Sequence, residues 1–254
     1  MPTLTKPQKA TQPHAETPSA AKLKVKRFMD GANINDMREC YRQGIVQGFT
    51  TNPSLMRKAA ITDYGAFARE ALAAIPDLPI SFEVFSDDPA GMEREARKIA
   101  TWGRNVYVKI PITNTQGRSC VPLISALSKD AVRLNVTAIL TLEQVAATAE
   151  ALDPKIPSIV SVFAGRIADT GRDPMPLMRE AAQILKANKT AELLWASSRE
   201  LLNIFQAEAC RCHIITVTPE ILKKLSTIGK DLGELSLDTV KMFYKDAQSA
   251  GYKI

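Results

Sequence analysis

Histidine is nearly absent from this 254-residue chain: there are two, His14 and His213, and neither stands in a metal-binding spacing. His213 precedes an apolar run and reads as a core or surface residue rather than an acid–base group. There is no HExxH, no GxxxxGK(S/T) loop and no strand-linked GxGxxG. Metal-dependent hydrolysis, nucleotide hydrolysis and dinucleotide redox chemistry therefore each lack their usual residues, and neither a metal nor a cofactor is expected. The four cysteines, Cys40, Cys120, Cys210 and Cys212, show no CxxC spacing and read as free thiols, not as a disulfide framework or a zinc site. No apolar run reaches the roughly 18 residues of a membrane span, and the N-terminus lacks a signal-peptide core, so no membrane association and a cytoplasmic location are expected.

Basic charge is present, but in one place. The formal net charge is +6, and residues 1–27 hold six bases against one acid, Glu16, leaving the body of the chain close to neutral. Residues 1–24 are rich in Pro, Thr, Ala and Lys without an apolar period, the composition of a disordered extension. A transit peptide does not fit this pattern, and a nucleic-acid partner is not expected, although a noncatalytic sugar-phosphate-binding or RNA-binding protein using the tail is a remote alternative.

From residue 25 onward, short β-branched or apolar runs alternate with amphipathic helical patterns. Strand-like runs fall at 25–30, 46–50, 80–84, 106–110, 135–140, 159–163, 193–196 and 214–217. Between them, sets such as Met92, Ala96, Ile99, Ala100 and Leu142, Val145, Ala146, Ala149 place apolar side chains on one helical face. Eight βα units in one chain of this length predict an α/β fold, a single closed (β/α)8 TIM barrel over 25–234. A further helix from about 235 to 249, within a C-terminal segment 235–254, exceeds what the barrel needs and is a candidate for packing between subunits.

One residue interrupts the fourth run. Lys109 sits inside Val106-Tyr107-Val108-Lys109-Ile110-Pro111, and a lysine in a dry pocket is a nucleophile suited to a ketone. The bland reading of that hexapeptide is an edge strand with its lysine in solvent. In a barrel, however, reacting groups belong at the C-terminal ends of strands, and polar residues cluster there. The first strand ends in Asp30 and the second runs into Thr50-Thr51-Asn52-Pro53-Ser54. Glu83 lies on the third, Asn135 and Thr137 on the fifth, Ser161 and Phe163 on the sixth before Gly165-Arg166, and Ser197-Ser198-Arg199 follows the seventh.

Thr50-Thr51-Asn52-Pro53-Ser54, Val108-Lys109-Ile110-Pro111, Asn135-Val136-Thr137 and Phe163-Ala164-Gly165-Arg166-Ile167 together resemble the transaldolase family, including its short-chain branch and the fructose-6-phosphate aldolases. The likeness covers Phe28 to about Pro219, with departures at Val162, Ala164 and Ser198. It implies a Schiff base on Lys109, with Asp30 as general base and Glu83 and Thr137 holding a proton-shuttling water. It further implies that Thr51, Asn52, Ser54, Asn135, Ser161 and Phe163 line the substrate site and that Arg166, Ser197 and Arg199 grip a phosphate. The partners would be a phosphorylated ketose donor and an aldose acceptor, and the chain would form a homo-oligomer, a pentamer or decamer. The aldolase branch resembles this chain with glutamine and tyrosine in place of Glu83 and Phe163, so the residues present favour transfer over release of free dihydroxyacetone. A specialised transaldolase acting on an unusual sugar phosphate is a further alternative.

Overall fold

The computed structural model describes residue 19 and residues 23–253. The extension expected over 1–24 falls almost wholly outside the described residues. Among the described residues eight strands follow one another: β1 (Lys26–Asp30), β2 (Gly48–Thr50), β3 (Ile80–Glu83), β4 (Val106–Pro111), β5 (Leu134–Ile139), β6 (Ser158–Val162), β7 (Ala191–Trp195) and β8 (Ile214–Val217). Each pairs in parallel with the next, and β8 pairs with β1, so the sheet closes into the expected barrel. The helices are α1 (Ile34–Arg42), α2 (Pro53–Lys58), α3 (Tyr64–Ala74), α4 (Pro89–Ala100), α5 (Val121–Lys129), α6 (Leu142–Ala151), α7 (Ala164–Ala168), α8 (Met175–Ile184), α9 (Leu202–Ala209), α10 (Pro219–Lys223) and α11 (Leu232–Ala250). Among the described residues, no helix is long and apolar enough to cross a membrane.

Strand registry explains the residue pattern. Side chains alternate between the barrel interior and the helix-facing surface. Phe49, Phe82, Val108, Ile110, Val136, Val160, Leu193 and Ile215 are fully buried in the large core that joins the sheet to its helices. The other parity carries a second, smaller cluster of Phe28, Ile159, Leu194, Ala196 and Ile214, against which Tyr107 and Phe163 pack. Gly48 pairs with Phe28 across β1 and β2, and a Cβ there would lie 2.5 Å from the Phe28 ring. Glycine at this position therefore gives the ring its space. The run around Lys109 is thus an alternation, with Val108 and Ile110 facing one core and Lys109 on the opposite face.

Helix starts are locally encoded. Asn52 caps α2 by accepting from Leu55 N–H at 3.0 Å, with Pro53 at the first helical position, where its missing donor costs nothing. Thr141 and Gln144 form a reciprocal capping box at α6.

The barrel unit runs from Leu23 to Leu225, and residues from Ser226 onward group separately. Within that second group, Asp231 caps α11 by accepting from Gly233 and Glu234 N–H, and Gly251 ends it in the left-handed conformation. Leu235, Leu237, Val240, Met242, Phe243 and Tyr244 on this helix are exposed.

One close approach fixes the barrel mouth. Gly165 is the second residue of α7, which follows β6, its N–H bonds Ala196 O at 3.2 Å, and a Cβ there would lie 1.6 Å from Ser197 O. That oxygen is backbone and cannot rotate aside. Gly165→Ala is expected to lower stability by about 3 kcal/mol, read as a drop in the urea midpoint, and an unchanged midpoint would refute this packing argument.

Candidate active site

At the C-terminal ends of the strands, the interior turns from apolar to polar and opens into a cavity of about 370 Å3. Its lining includes eleven residues expected from sequence: Asp30, Asn52, Ser54, Glu83, Lys109, Asn135, Thr137, Ser161, Phe163, Arg166 and Ser197. Registry brings three of them into one row, with Lys109 opposite Glu83 on one side and Asn135 on the other.

Lys109 is buried, with only 6% of its surface exposed. Its Nζ donates to Thr51 O at 2.9 Å and lies 3.1 Å from Glu83 Oε2. Thr51 therefore serves the site through its carbonyl rather than as cavity lining. Its own hydroxyl donates to Ser81 O at 3.3 Å. On the neighbouring strands, Ser161 Oγ donates to Asn135 Oδ1 at 2.6 Å, and Asn135 Nδ2 donates to Ser81 Oγ at 3.0 Å, which fixes the amide's orientation.

The Asp30 carboxylate accepts from Thr50 Oγ1 at 2.7 Å. Burial pushes its pKa up from the ordinary aspartate range, and the Glu83 charge adds to that rise, whereas the Lys109 charge and the Thr50 bond oppose it. Such a carboxyl is suited to exchanging a proton nearer neutral pH.

Thr137 reaches the cavity from an irregularity. The β5–β6 register shifts between Val136 and Ile139, and Ala138 adopts φ 61°, a left-handed conformation that costs energy for a residue other than glycine. The buried Thr137 Oγ1 has no hydrogen-bond partner among the described residues, so its capacity remains for a water or a ligand.

The two expected phosphate arginines differ. Arg166 lines the cavity with its guanidinium 5.8 Å from the centre of the Phe163 ring. Arg199 does not line the cavity and is ion-paired with Asp169. Ser197 lines it in a left-handed conformation, φ 64°, and Ser198 Oγ is turned away to donate to Thr216 O at 2.6 Å.

Sequence reasoning missed Tyr64, whose hydroxyl accepts from Glu83 N–H at 2.7 Å and donates to Glu83 O at 3.1 Å. Burial raises its pKa well above the ordinary tyrosine value. It also missed the cavity-wall residues Leu194, Ala196 and Thr216, and the roles of Thr50, Ser81 and Asp169. Only Thr50 carried a signal, as the first residue of the Thr50-Thr51-Asn52-Pro53-Ser54 run. Among the described residues, no three His, Cys, Asp or Glu side chains gather as a metal site.

A family model described as Transaldolase/Fructose-6-phosphate aldolase matches residues 27–254. A "Probable transaldolase" of Roseiflexus castenholzii is 39% identical over 200 residues, covering 78% of this chain and 87% of that protein. One from Dehalococcoides mccartyi is 36% identical over 199 residues, covering 78% and 88%, and one from a Thermoanaerobacter species is 34% identical over 231 residues, covering 91% and 100%. A solved structure titled as KGPDC from Streptococcus mutans superposes with a TM-score of 0.55 at 11% identity, covering 82% of this chain and 95% of that one, a likeness of fold alone. The fold and site define a (β/α)8 enzyme with a buried lysine at the mouth of its barrel. The chain belongs to the transaldolase/fructose-6-phosphate aldolase family.

The raised Asp30 pKa makes a signed prediction. Folding favours the protonated carboxyl, so stability from this group is fully present below the unfolded aspartate pKa and is lost as pH rises through the higher folded value. Asp30→Asn is therefore expected to raise Tm at pH 7–8, with the gain shrinking toward acid pH. Thermal melts across pH 4–8 read this directly, and a gain that grows toward acid contradicts the sign.

Proposed function

We propose that this chain is a transaldolase that moves a three-carbon dihydroxyacetone unit from a ketose phosphate to an aldose phosphate through a Schiff base on Lys109. The observation that carries the reading is the amine of Lys109 at the base of an open polar cavity, 3.1 Å from one carboxylate and sharing that cavity with a second of raised pKa.

In this reading Glu83 takes a proton from Nζ, and the nitrogen attacks the ketone carbon C2 of the donor. The carbinolamine loses water, with Glu83 and the unpartnered Thr137 hydroxyl handling the proton transfers through a bound water. The resulting iminium draws electrons from the C3–C4 bond. Asp30 accepts the proton of the C4 hydroxyl as that bond breaks, an aldose phosphate leaves, and an enamine remains on Lys109. Addition of the enamine to a second aldehyde, with Asp30 returning its proton, and hydrolysis of the new iminium complete the transfer. Asn52, Asn135 and Ser161 suit the hydroxyls of the three-carbon unit, and Arg166, with Ser197 beside it, suits the phosphate.

The same chemistry also serves cleavage with release of free dihydroxyacetone, which needs protonation of the enamine. Phe163 lines the cavity with a ring that has no proton to give, and this favours transfer.

Incubation with fructose 6-phosphate followed by borohydride reduction is expected to place a three-carbon adduct on Lys109, absent in Lys109→Ala, with little free dihydroxyacetone until an acceptor aldose phosphate is supplied. An adduct elsewhere refutes the nucleophile. Stoichiometric release of dihydroxyacetone without acceptor refutes the preference for transfer.

Arg166→Ala is expected to raise KM for phosphorylated donors by about 10- to 100-fold, the loss of a charge-assisted contact of about 1.5–3 kcal/mol. Unphosphorylated dihydroxyacetone should be handled as before. An equal loss with both kinds of substrate would remove Arg166 from the phosphate role.

A further inference from the structure

A second cavity, of about 390 Å3, lies outside the barrel, bounded by α3, α4 and the segment after β3. Its wall is aromatic. Tyr64 packs against Phe85 at 4.6 Å between ring centres and meets Trp102 edge-on at 5.4 Å. Phe85 nevertheless leaves 49% of its surface exposed, an apolar ring held beside open space. The volume falls in the range of small-molecule sites, which join apolar walls to a few converging polar groups.

The charged groups of this cleft divide into spent and unspent. Asp63 caps α3 by accepting from Ala66 N–H at 2.9 Å. Glu95 accepts from Phe85 N–H at 2.6 Å, Ser86 N–H at 2.9 Å and Ser86 Oγ at 2.5 Å. Glu83, also in the lining, is paired with Lys109. The two cations, Arg69 and Lys98, have no hydrogen-bonded or ion-paired partner for their side chains among the described residues. Two cations without side-chain partners thus stand beside an exposed apolar ring, while the three carboxylates of the lining are held by a helix N–H group, by Ser86 and Phe85, and by Lys109.

We propose that this cleft is a second binding site, for a planar aromatic ring bearing a carboxylate or phosphate, coupled to Lys109 through Tyr64 and Glu83. The ring packs against the exposed Phe85 ring and between the tilted Tyr64 and edge-on Trp102 rings, and the anion pairs with Arg69 and Lys98. The coupling is physical. The Tyr64 ring faces the cleft while its hydroxyl holds both backbone groups of Glu83, whose carboxylate lies 3.1 Å from Nζ of Lys109. A ligand that settles Tyr64 thus acts on the position of Glu83, and by linkage a substrate at Lys109 changes the ligand's affinity in return.

Binding does not depend on the Schiff-base reading, whereas its effect on Lys109 rests on it, so the two are measured separately. Calorimetric titration of the full chain with naphthalene-2-carboxylate, in phosphate-free buffer, is expected to give one site per chain that is retained in Arg166→Ala, whose barrel mouth has lost that guanidinium. Arg69→Ala/Lys98→Ala should weaken it at least tenfold and Phe85→Ala several-fold. Absence of saturable binding, or an affinity unchanged in the double variant, overturns the site. In a second measurement, saturating naphthalene-2-carboxylate should change the rate of borohydride trapping on Lys109 at least twofold in the wild type and not in the double variant. Binding with no change in trapping overturns the coupling. If no trapping occurs at all, the Schiff-base reading falls and with it the coupling, while calorimetry still decides the site.

Discussion

A lysine amine and a glutamate carboxylate 3.1 Å apart, both largely removed from water, set the terms for the structure around them. Burying such a pair seldom stabilises a fold, because desolvation of both groups consumes most of the attraction between them. Its surroundings are built to hold it. Thr51 O supplies a second acceptor to Nζ, and that carbonyl is aimed by the turn in which Asn52 caps α2 and Pro53 opens it. Tyr64 fixes the backbone of Glu83 from behind through both N–H and C=O. Losing the Thr51 carbonyl would leave the buried ammonium with one partner fewer, and losing the Tyr64 hydroxyl would take a partner from the Glu83 backbone N–H and C=O.

Two cores make this arrangement possible. The sheet and its helices share a continuous apolar layer, so the barrel does not depend on its interior for most of its buried surface. The interior cluster of Phe28, Ile159, Leu194, Ala196 and Ile214 is small and stops where Asp30, Lys109, Asn135 and Ser161 begin. Strain gathers at the same end. Ala138 and Ser197 both take left-handed backbone conformations on the cavity wall, and the Ser197 carbonyl is tolerated only because Gly165 has no side chain. Backbone strain of this kind persists where surrounding packing over-determines it, and here that packing is the apolar outer layer.

The eight strands were legible because their helix-facing positions read as apolar runs bounded by turns. Most of the cavity lining was legible for a related reason: polar residues at interior positions near strand ends have few structural uses. What stayed hidden depends on three-dimensional registry or on long side chains. The pairing of Lys109 with Glu83 follows from their being direct neighbours across β3 and β4, which spacing along the chain does not reveal. Tyr64 belongs to α3 and reaches the site through backbone contacts, so nothing in its local sequence marks it. The bulge at Ala138 gives no glycine or proline signal. Asn52 illustrates how the alternatives merge, since one oxygen caps a helix while the residue also faces the cavity, so the structural and the functional readings are both satisfied.

The two arginines at the barrel mouth are a case in which sequence position misleads. Arg166 and Arg199 both follow strand ends, and both suit phosphate by type. Yet α7 carries Arg166 toward the cavity, over the ring of Phe163, while Asp169, one turn later, engages Arg199 outside the lining. An anion entering the cavity therefore meets one guanidinium, placed over an aromatic face. The second is neutralised by a carboxylate, and engaging it would require an incoming phosphate to displace Asp169 in an exposed pair, where ion pairs are worth about 1 kcal/mol or less. Of the two, only Arg166 presents its guanidinium to the cavity without a carboxylate partner among the described residues, so the phosphate contact in the proposed reaction is assigned to Arg166 and not to Arg199.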